Sequence, residues 1–350
     1  MTNSYLSDMM EKINTCMLNM KKGDIKEDCP IGIVDIESWE WPQGVALYCE
    51  YLHYQKTKDP AKLAYLIRWF ETHLREGIPE RNVNTTAPML TMACLYEETG
   101  DEKWLTLCKD WAEWVMREMA RTEEGGLQHI VTGGVNEQQL WDDTLFMTAL
   151  FLAKMSVILN NEEYRQEAVY QFLLHAKYLY DTRTGLWFHG WTFLGRNNFA
   201  GALWARGNCW ITAGIPIFIE MVHLEGAEKR FLTELLRAQV KALAALQAPS
   251  GLWHTLLDDP DSYEEASAAA GFAFGIMKGI RMGLLPEEYR PTAERALHGV
   301  LDCVLEDGTV DKVSYGTGMG STFQHYRDIP IYPMAYGQSL ALLMLHEFME

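Results

Sequence analysis

Two adjacent carboxylates stand at the head of an otherwise apolar segment. Asp142 and Asp143 occur in the run QLWDDTLFM, residues 139–147, and Lys154 is the only other charged residue of the segment 140–159. A helix that is hydrophobic nearly all round is buried on most of its faces. Carboxylates at its head must therefore cap the helix, pair with a buried cation or take part in proton transfer.

The two aspartates are predicted to have different roles. An Asp in the first turn of a helix commonly caps it, which contributes about 0.5–2 kcal/mol. Successive helical residues point about 100° apart, so one of the pair can cap while the other faces inward. Asp143 shares its predicted helix face with Leu140, Met147 and Leu150. We therefore predict that Asp143 points into a cavity as the acid–base group and that Asp142 is the structural residue.

Aromatic and hydrogen-bonding residues occur near the predicted starts of the other apolar helices. They are Trp39, Trp41, Asn84, His129, Trp141, His189, Trp204 and Arg206. Each has a simpler interpretation: a Trp is usually core, a lone His usually bonds a carbonyl, Asn84 could cap a helix and Arg206 could pair with Asp142. Together, aromatic rings, two imidazoles, a guanidinium and a carboxylate on one rim are typical of a carbohydrate site.

A repeated unit positions these residues. Similar loops, EEGGLQH, TRTGLWFH, APSGLWH and the degenerate EDGTVDKV, contain Gly126, Gly185, Gly251 and Gly308, which are 59, 66 and 57 residues apart. Between the loops lie pairs of helical segments, the first almost wholly apolar and the second amphipathic. Repeats of this length and composition predict helical hairpins arranged in a ring.

Six such hairpins are predicted. The inner helices start near Trp39, Asn84, Gln139, Ala205, Glu264 and Tyr332, and the N-terminal segment supplies the last outer helix. This is an all-α (α/α)6 barrel, and the repeat overrides the length-based expectation of two domains, so residues 1–350 are predicted to form a single catalytic domain. The N-terminal ends of the inner helices converge on one mouth, where the site residues are expected to meet.

Composition excludes several classes of partner. The net charge of -18 argues against nucleic acid or an anionic membrane. No apolar stretch is long enough to span a membrane, and the N-terminus lacks the apolar core of a signal peptide, so a cytoplasmic protein is predicted. The seven cysteines are scattered without a CxxC pair, which favours reduced, mostly buried thiols. The oligomeric state is not indicated.

The sequence does not match several other motifs that would indicate a function. The glycine-rich run SYGTGMGST, residues 314–322, lacks GxGxxG spacing and a preceding strand, so phosphate binding is not expected. There is no HExxH motif, and the histidines are dispersed, so we predict no metal and no cofactor. A Gly-x-Ser-x-Gly nucleophile elbow is also missing from the sequence.

The runs QLWDDTLFM, NTTAPMLTMACLYEETGDEKW, TGLWFHGW and LWARGNCW resemble those of unsaturated glycoside hydrolases. The nearest resemblance is to the unsaturated rhamnogalacturonyl hydrolases of glycoside hydrolase family 105, with the unsaturated glucuronyl hydrolases of family 88 as near relatives. It covers roughly residues 39–347 and implies a six-hairpin barrel. It also implies a small oligosaccharide substrate with a 4,5-unsaturated uronic acid at its non-reducing end, left by a polysaccharide lyase.

The resemblance further implies roles for individual residues. Asp143 matches the general acid and base of the family, and His129, His189, Trp204 and Arg206 match residues that line the pocket of the unsaturated sugar. Better-known members carry a second Asp at the position of Asn84.

The expected chemistry is protonation of the C4=C5 double bond and addition of water at C5, which one carboxyl group can perform. It requires a raised pKa at Asp143, and it leaves Arg206 to contact the substrate. Three alternatives stay open: a glucuronyl hydrolase acting on other unsaturated saccharides, a sugar epimerase using His129 and His189 as bases, and a non-catalytic sugar-binding protein.

Overall fold

Paired helices make up most of the structure, a computed structural model that describes residues 2–23 and 31–349. In chain order the helices are α1 (Asn3–Leu18), α2 (Trp41–Thr57), α3 (Pro60–Glu76), α4 (Val83–Thr99), α5 (Glu102–Arg117), α6 (Leu150–Ile158), α7 (Glu162–Leu179), α8 (Ala205–Met221), α9 (Gly226–Leu246), α10 (Ala266–Arg281), α11 (Arg290–Leu301), α12 (Phe323–Arg327) and α13 (Ala335–Phe348). A π-helical turn, Leu145–Ala149, leads directly into α6, and a 3-10 turn, Glu287–Tyr289, leads into α11.

The helices form two concentric layers. The inner layer is a closed ring in which α2, α4, α6, α8, α10 and α13 each pack against the next, and α13 packs against α2. The outer helices α3, α5, α7, α9 and α11 each pack on the inner helix that precedes them, and α1 packs on α13. The N-terminal helix thus completes the sixth hairpin, and the predicted (α/α)6 barrel is confirmed.

The burial of each layer follows from its sequence. The inner helix α8 is buried from Ala205 to Ile219, and α10 is buried from Ala266 to Ile280, because most residues on every face of both helices are apolar. The outer helix α5 buries one stripe that includes Trp104, Trp111 and Val115 and exposes its charged side. The core therefore lies inside the ring and between the two layers.

Most inner helices begin close to the predicted positions: α2 at Trp41, α4 at Val83, α8 at Ala205, α10 at Ala266 and α13 at Ala335. The cap of α4 is Asn82, whose side chain accepts hydrogen bonds from the backbone N–H groups of Asn84 and Thr85. Asn84 is therefore not a helix cap, and its side chain is available for other contacts.

The third inner helix begins later than predicted. Residues Gln139–Trp141 form a short strand, β1, that pairs antiparallel with β2 (Gly190–Thr192), with Trp141 opposite Gly190. A second pair joins β3 (Trp253–His254) to β4 (Glu264–Glu265). The prediction of a helix from Gln139 is wrong because the pairing partner of this segment lies far along the chain.

The repeated glycine loops return the chain from the outer layer to the mouth of the barrel. After α5, α7 and α11, short antiparallel bridges join Arg121 to Leu127, Tyr180 to Trp187 and Val304 to Val310. The turn glycines Gly251 and Gly308 both have a φ of 88°, in the left-handed region where a side chain would be strained. The glycine spacing in the sequence thus reports one repeated turn.

The six cysteines within the described residues are free thiols, and all of them except Cys16 are buried, as predicted. Cys29 lies outside the described residues. Across residues 2–23 and 31–349, every helix is too short or too polar to cross a membrane.

Candidate active site

Asp143 lies between β1 and the π-helical turn of the third inner helix. Strand pairing fixes this position, because the backbone N–H of Asp142 donates to the carbonyl oxygen of His189 at 3.0 Å. A strand and a turn thus bring both aspartates to the mouth of the barrel. The helix face that was predicted for Asp143 does not exist, and Leu140 packs in a small separate cluster outside the main core.

The carboxyl group of Asp143 is partly open to solvent. Its side chain is 19% exposed, and Oδ1 lies 3.7 Å from Nδ1 of His129. That imidazole nitrogen is engaged by the hydroxyl of Thr144 at 2.7 Å. Oδ1 is buried without a hydrogen-bond partner among the described residues, so the exposed surface lies on the Oδ2 side.

Aromatic rings surround this carboxyl group. His129 stacks on Trp141, with ring centroids 4.1 Å apart and an interplanar angle of 13°. Trp141 meets His189 at 5.3 Å, and His189 meets Trp204 at 4.4 Å. The structure therefore brings together five of the residues predicted from the sequence: Asp143, His129, Trp141, His189 and Trp204.

Burial controls the protonation of these groups. Removal from water raises the pKa of Asp143 to about 7 and outweighs the opposing positive charge of Arg206. Burial also lowers the pKa values of His129 and His189 well below their ordinary value. The site therefore places two uncharged imidazoles beside a carboxyl group that retains its proton to unusually high pH.

Arg206 is more deeply buried than a substrate-binding arginine needs to be. It is 1% exposed, and its guanidinium lies over the rings of Trp204 and Tyr336 at 4.4 and 4.8 Å. Its terminal nitrogens donate to the carbonyl oxygens of Ser314 and Tyr315 at 2.7 and 3.1 Å. These bonds hold the 314–315 backbone in place, and direct contact with an anionic sugar stays a prediction for Arg206.

The two tryptophans around the start of α2 lie in different places. Trp39 donates its indole N–H to the carbonyl oxygen of Thr85 and packs against Trp69 and Trp111 of the outer helices. The structure therefore does not bring Trp39 to the site, since its ring points outward from the inner layer. Trp41 stacks on Tyr336 at 4.5 Å and is thereby linked to Arg206.

Glu40, between these tryptophans, was missed by the sequence analysis. It is 4% exposed, accepts the backbone N–H of Trp41 at 2.8 Å and accepts the hydroxyl of Thr132 at 2.9 Å. Asn84, which is 2% exposed, hydrogen-bonds the same carboxylate, and burial raises the pKa of Glu40 to about 7. The sequence feature that could have pointed to Glu40 is its place between two tryptophans in the run WEW.

Tyr326 was also missed, because the glycine-rich run 314–322 seemed to have no role. This run and α12 form one wall of the site. The Tyr326 hydroxyl lies 2.8 Å from Nδ1 of His189 and accepts the backbone N–H of Gly320 at 3.2 Å. Tyr326 thereby fixes the orientation of an imidazole that faces Asp143.

A cleft of about 440 Å³ opens beside Trp141. It is lined by Ile31, Val131, Thr132, Gly133, Gly134, Asn136, Gln139, Trp141, Phe199, Gly318, Met319 and Ser321. None of these lining residues is charged. The cleft therefore suits an uncharged group that follows the group bound at Asp143.

Two carboxyl groups and one imidazole converge behind the cleft. Oxygens of Asp142 and Asp143 and a ring nitrogen of His189 lie within 4.8 Å of one another. The sequence analysis predicted Asp143 and His189 at one rim but did not include Asp142 in the group. The nearby positive charge of Arg206 opposes a cation at this position. We therefore assign these groups to proton chemistry and give them no role in metal binding.

A ring of six helical hairpins with a protonated carboxyl group, imidazoles and indoles at its mouth defines a class of carbohydrate-active barrel enzymes. The chain belongs to Glycosyl Hydrolase Family 88, whose sequence pattern matches residues 9–350. It is 33% identical over 316 residues to the unsaturated rhamnogalacturonyl hydrolase YesR of Bacillus subtilis (strain 168), which covers 89% of this chain and 90% of that protein.

Solved structures agree with this assignment. A possible member of the GH105 family from Salmonella enterica serovar Paratyphi A superposes with a TM-score of 0.96 at 45% identity. Another from Klebsiella pneumoniae superposes with a TM-score of 0.95 at 46% identity. Each match covers 100% of this chain and 94% of the other. The predicted family resemblance and the prediction of a glycoside hydrolase are confirmed.

Proposed function

We propose that this protein removes the 4,5-unsaturated uronic acid from the non-reducing end of lyase-generated oligosaccharides, with the unsaturated rhamnogalacturonan disaccharide as its substrate. The observation that carries this proposal is the single partly exposed carboxyl group, Asp143, held between uncharged imidazoles with a raised pKa. The similarity to an unsaturated rhamnogalacturonyl hydrolase supports the same substrate class.

Asp143 acts first as an acid and then as a base. Its proton goes to C4 of the C4=C5 double bond, which leaves an oxocarbenium ion at C5. Water adds at C5 while the Asp143 carboxylate takes up one of its protons, so the carboxyl group is regenerated. The resulting hemiketal opens at the bond from C5 to the ring oxygen. The hemiacetal then left at C1 expels the neighbouring sugar.

This reaction does not need two solvent-facing carboxylates. Ordinary glycosidases use one carboxyl group to protonate the leaving oxygen and another as nucleophile or base. Here the double bond itself accepts the proton, so an amide is acceptable at position 84. The hydrogen bond between Asn84 and Glu40 orients that amide, and we assign Asn84 to the binding of a sugar hydroxyl.

The carboxylate of the substrate finds its donors at the start of α8. Nε of Arg206, Nε1 of Trp204 and Nε2 of His189 are buried without partners among the described residues. The N-terminus of α8 and the charge of Arg206 both favour an anion. An anionic group beside Trp204 would place the neighbouring C4=C5 bond near Asp143.

The cleft beside Trp141 is assigned to the leaving sugar. The lining residues that the structure describes carry no charge, which matches a neutral sugar better than a charged one. Trp141, Phe199 and Met319 add apolar surface, which suits the methyl group of a rhamnose. A glucuronyl hydrolase acting on charged saccharides would require cations in this cleft.

The epimerase alternative is not favoured by the site. An epimerase needs imidazoles that take up a proton readily, whereas burial lowers the pKa values of both His129 and His189 well below the ordinary value. The partly exposed acid of the site is Asp143 instead.

The test is a panel of lyase-generated disaccharides followed by ultraviolet absorbance of the double bond and by product mass. In deuterium oxide, we expect one deuterium at C4 of the released uronate. Asp143→Asn should reduce kcat by at least about 100-fold without unfolding the protein, whereas the exposed control Asp8→Asn should match the wild type. Near-normal turnover by Asp143→Asn would refute the assignment.

A further inference from the structure

Asp142 is a carboxyl group without an ordinary structural role. Its side chain is 0% exposed, and its carboxyl oxygens meet only backbone N–H groups of their own turn, those of Asp142 and Asp143, with no side-chain partner among the described residues. A capping Asp would accept a backbone N–H, and a buried carboxylate would be paired with a cation. The terminal nitrogens of Arg206, the nearest guanidinium, are occupied by Ser314 and Tyr315. The backbone N–H of Asp143 and the charge of Arg206 therefore offset only part of the cost of burying this carboxyl group.

The first turn of α8 is shaped to admit this side chain. A Cβ atom at Gly207 would lie 2.3 Å from Oδ2 of Asp142 and 2.9 Å from its Cγ. Any residue other than glycine at position 207 would displace the carboxyl group. The close approach of α8 thus seals Asp142 from water on the side away from Asp143.

Ionisable groups face Asp142 from four parts of the fold. They are Asp143 on the same turn, His189 before β2, Arg206 and Cys209 on α8, and Tyr326 on α12. The nearest are Asp143 and His189, whose ligand atoms lie within 4.8 Å of an Asp142 oxygen. His129 faces Asp143 from the opposite side. The only full positive charge in this group belongs to Arg206.

His189 is held as a proton donor and does not remove a proton from the pair. The Tyr326 hydroxyl accepts the N–H of Gly320, and we assign its own proton to Nδ1 of His189 at 2.8 Å in preference to the weaker acceptor Sδ of Met319 at 3.5 Å. The ring proton of neutral His189 then resides on Nε2. The two carboxyl groups are therefore left to share protons with each other.

We propose that Asp142 is a positioning residue that shares a proton with Asp143, so that the carboxyl pair, rather than Asp143 alone, stores the proton delivered to the substrate. This inference rests on the proposed function for its catalytic consequence. Asp142 itself does not touch the substrate, since it is sealed beneath Asp143.

A carboxylate beside a second carboxyl group disfavours ionisation of that group, so this buried pair should keep one proton to a pH well above the point at which the first is lost. Burial and the charge of Asp143 raise the pKa of Asp142 well above its ordinary value. The retained proton can move to Asp143, which remains a competent acid on the alkaline side. Each turnover restores the proton count, because the proton given to C4 is replaced from the attacking water.

The kinetic test is the pH profile of Asp142→Asn and of Asp142→Leu. In both variants the alkaline limb of kcat should move to lower pH by about one unit, which is a tenfold loss of kcat on that limb, while the acid limb stays in place. The KM should change less than kcat. A uniform loss of kcat at every pH would show a merely structural role and overturn the proposal.

A stability measurement tests the same inference without turnover. A carboxyl group that stays protonated in the folded protein destabilises it increasingly as pH rises above the unfolded value near 4. Asp142→Asn should therefore have a higher Tm than the wild type at neutral pH, with the difference vanishing near pH 4. A lower Tm at both pH values would overturn the proposal. This result stands even if no saccharide tested is a substrate.

A bound cation is the competing explanation of the three converging groups. Calorimetric titration of chelator-treated protein with Zn²⁺ or Mn²⁺ separates the two. We expect no stoichiometric binding that depends on Asp142. Tight binding that Asp142→Asn abolishes would replace proton sharing by a metal site.

Discussion

Replacing Glu40 by Gln removes a charge from beneath the site while keeping the size of the side chain. The wild-type carboxylate is 4% exposed and accepts hydrogen bonds from Trp41, Thr132 and Asn84. These bonds favour the charged form, but burial outweighs them and raises the pKa of Glu40 from 4.5 to about 7. Glu40→Gln therefore measures the cost of a buried carboxylate.

The magnitude follows from this rise. At about 1.4 kcal/mol per pH unit, a shift from 4.5 to about 7 corresponds to about 3 kcal/mol. Between these values the folded state binds more protons than the unfolded state, so the free energy of unfolding falls as pH rises and then levels off above about 7. The free energy of unfolding of Glu40→Gln should not show this fall, because an amide does not titrate.

The assay is urea unfolding of the wild type, Glu40→Gln and the exposed control Glu288→Gln at about pH 4 and about pH 8. Relative to the wild type, the Glu40 variant should gain about 3 kcal/mol between the two pH values, and the control should gain nothing. A difference between wild type and Glu40→Gln that does not change with pH would refute the burial argument.

Two further predictions concern residues that hold the site together. Arg206→Ala should lower the free energy of unfolding by about 3 kcal/mol in urea titrations, because the carbonyl groups of Ser314 and Tyr315 lose their buried donors. It should also raise KM, because the carboxylate of the substrate loses the Nε donor; an unchanged KM would contradict that role of Arg206. Tyr326→Phe should lower kcat more than it changes KM. Without the hydroxyl, the proton of the neutral His189 imidazole should no longer be confined to Nε2, and nitrogen-15 spectra of the ring report this change. An unchanged tautomer would contradict the proposed role of Tyr326.

The repeat in the sequence was enough to predict the barrel, because an apolar inner helix and an amphipathic outer helix have different compositions. It could not predict β1. The segment Gln139–Trp141 reads as the first turn of an apolar helix, and only its pairing with Gly190–Thr192 makes it a strand. Long-range pairing of this kind leaves no local periodicity.

Only part of the site could be predicted from the sequence, for a similar reason. His129 and His189 follow repeated turns and Asp143 precedes an inner helix, so their convergence at the mouth follows from the ring. Trp39 was misplaced because neighbouring residues at the start of a helix point to different layers, and the sequence does not say which one points inward. Tyr326 lies 137 positions from His189 in the sequence. It follows a loop that has no repeated pattern, so the sequence does not indicate this contact.

The contact between the first helix and the last helix can form only after the whole barrel has been synthesised. The amide of Gln338 on α13 reaches the carbonyl oxygen of Ile13 on α1, 325 positions apart. At about 5–20 residues per second, a ribosome needs roughly 15–65 s to connect them. During that interval the apolar strip of α1, which includes Leu6, Met10 and Met17, lacks α13, the helix on which it packs in the folded protein. Helical hairpins can form as the chain leaves the ribosome. Misassembly is therefore most expected at the last step, when α1 packs on α13 and the ring closes.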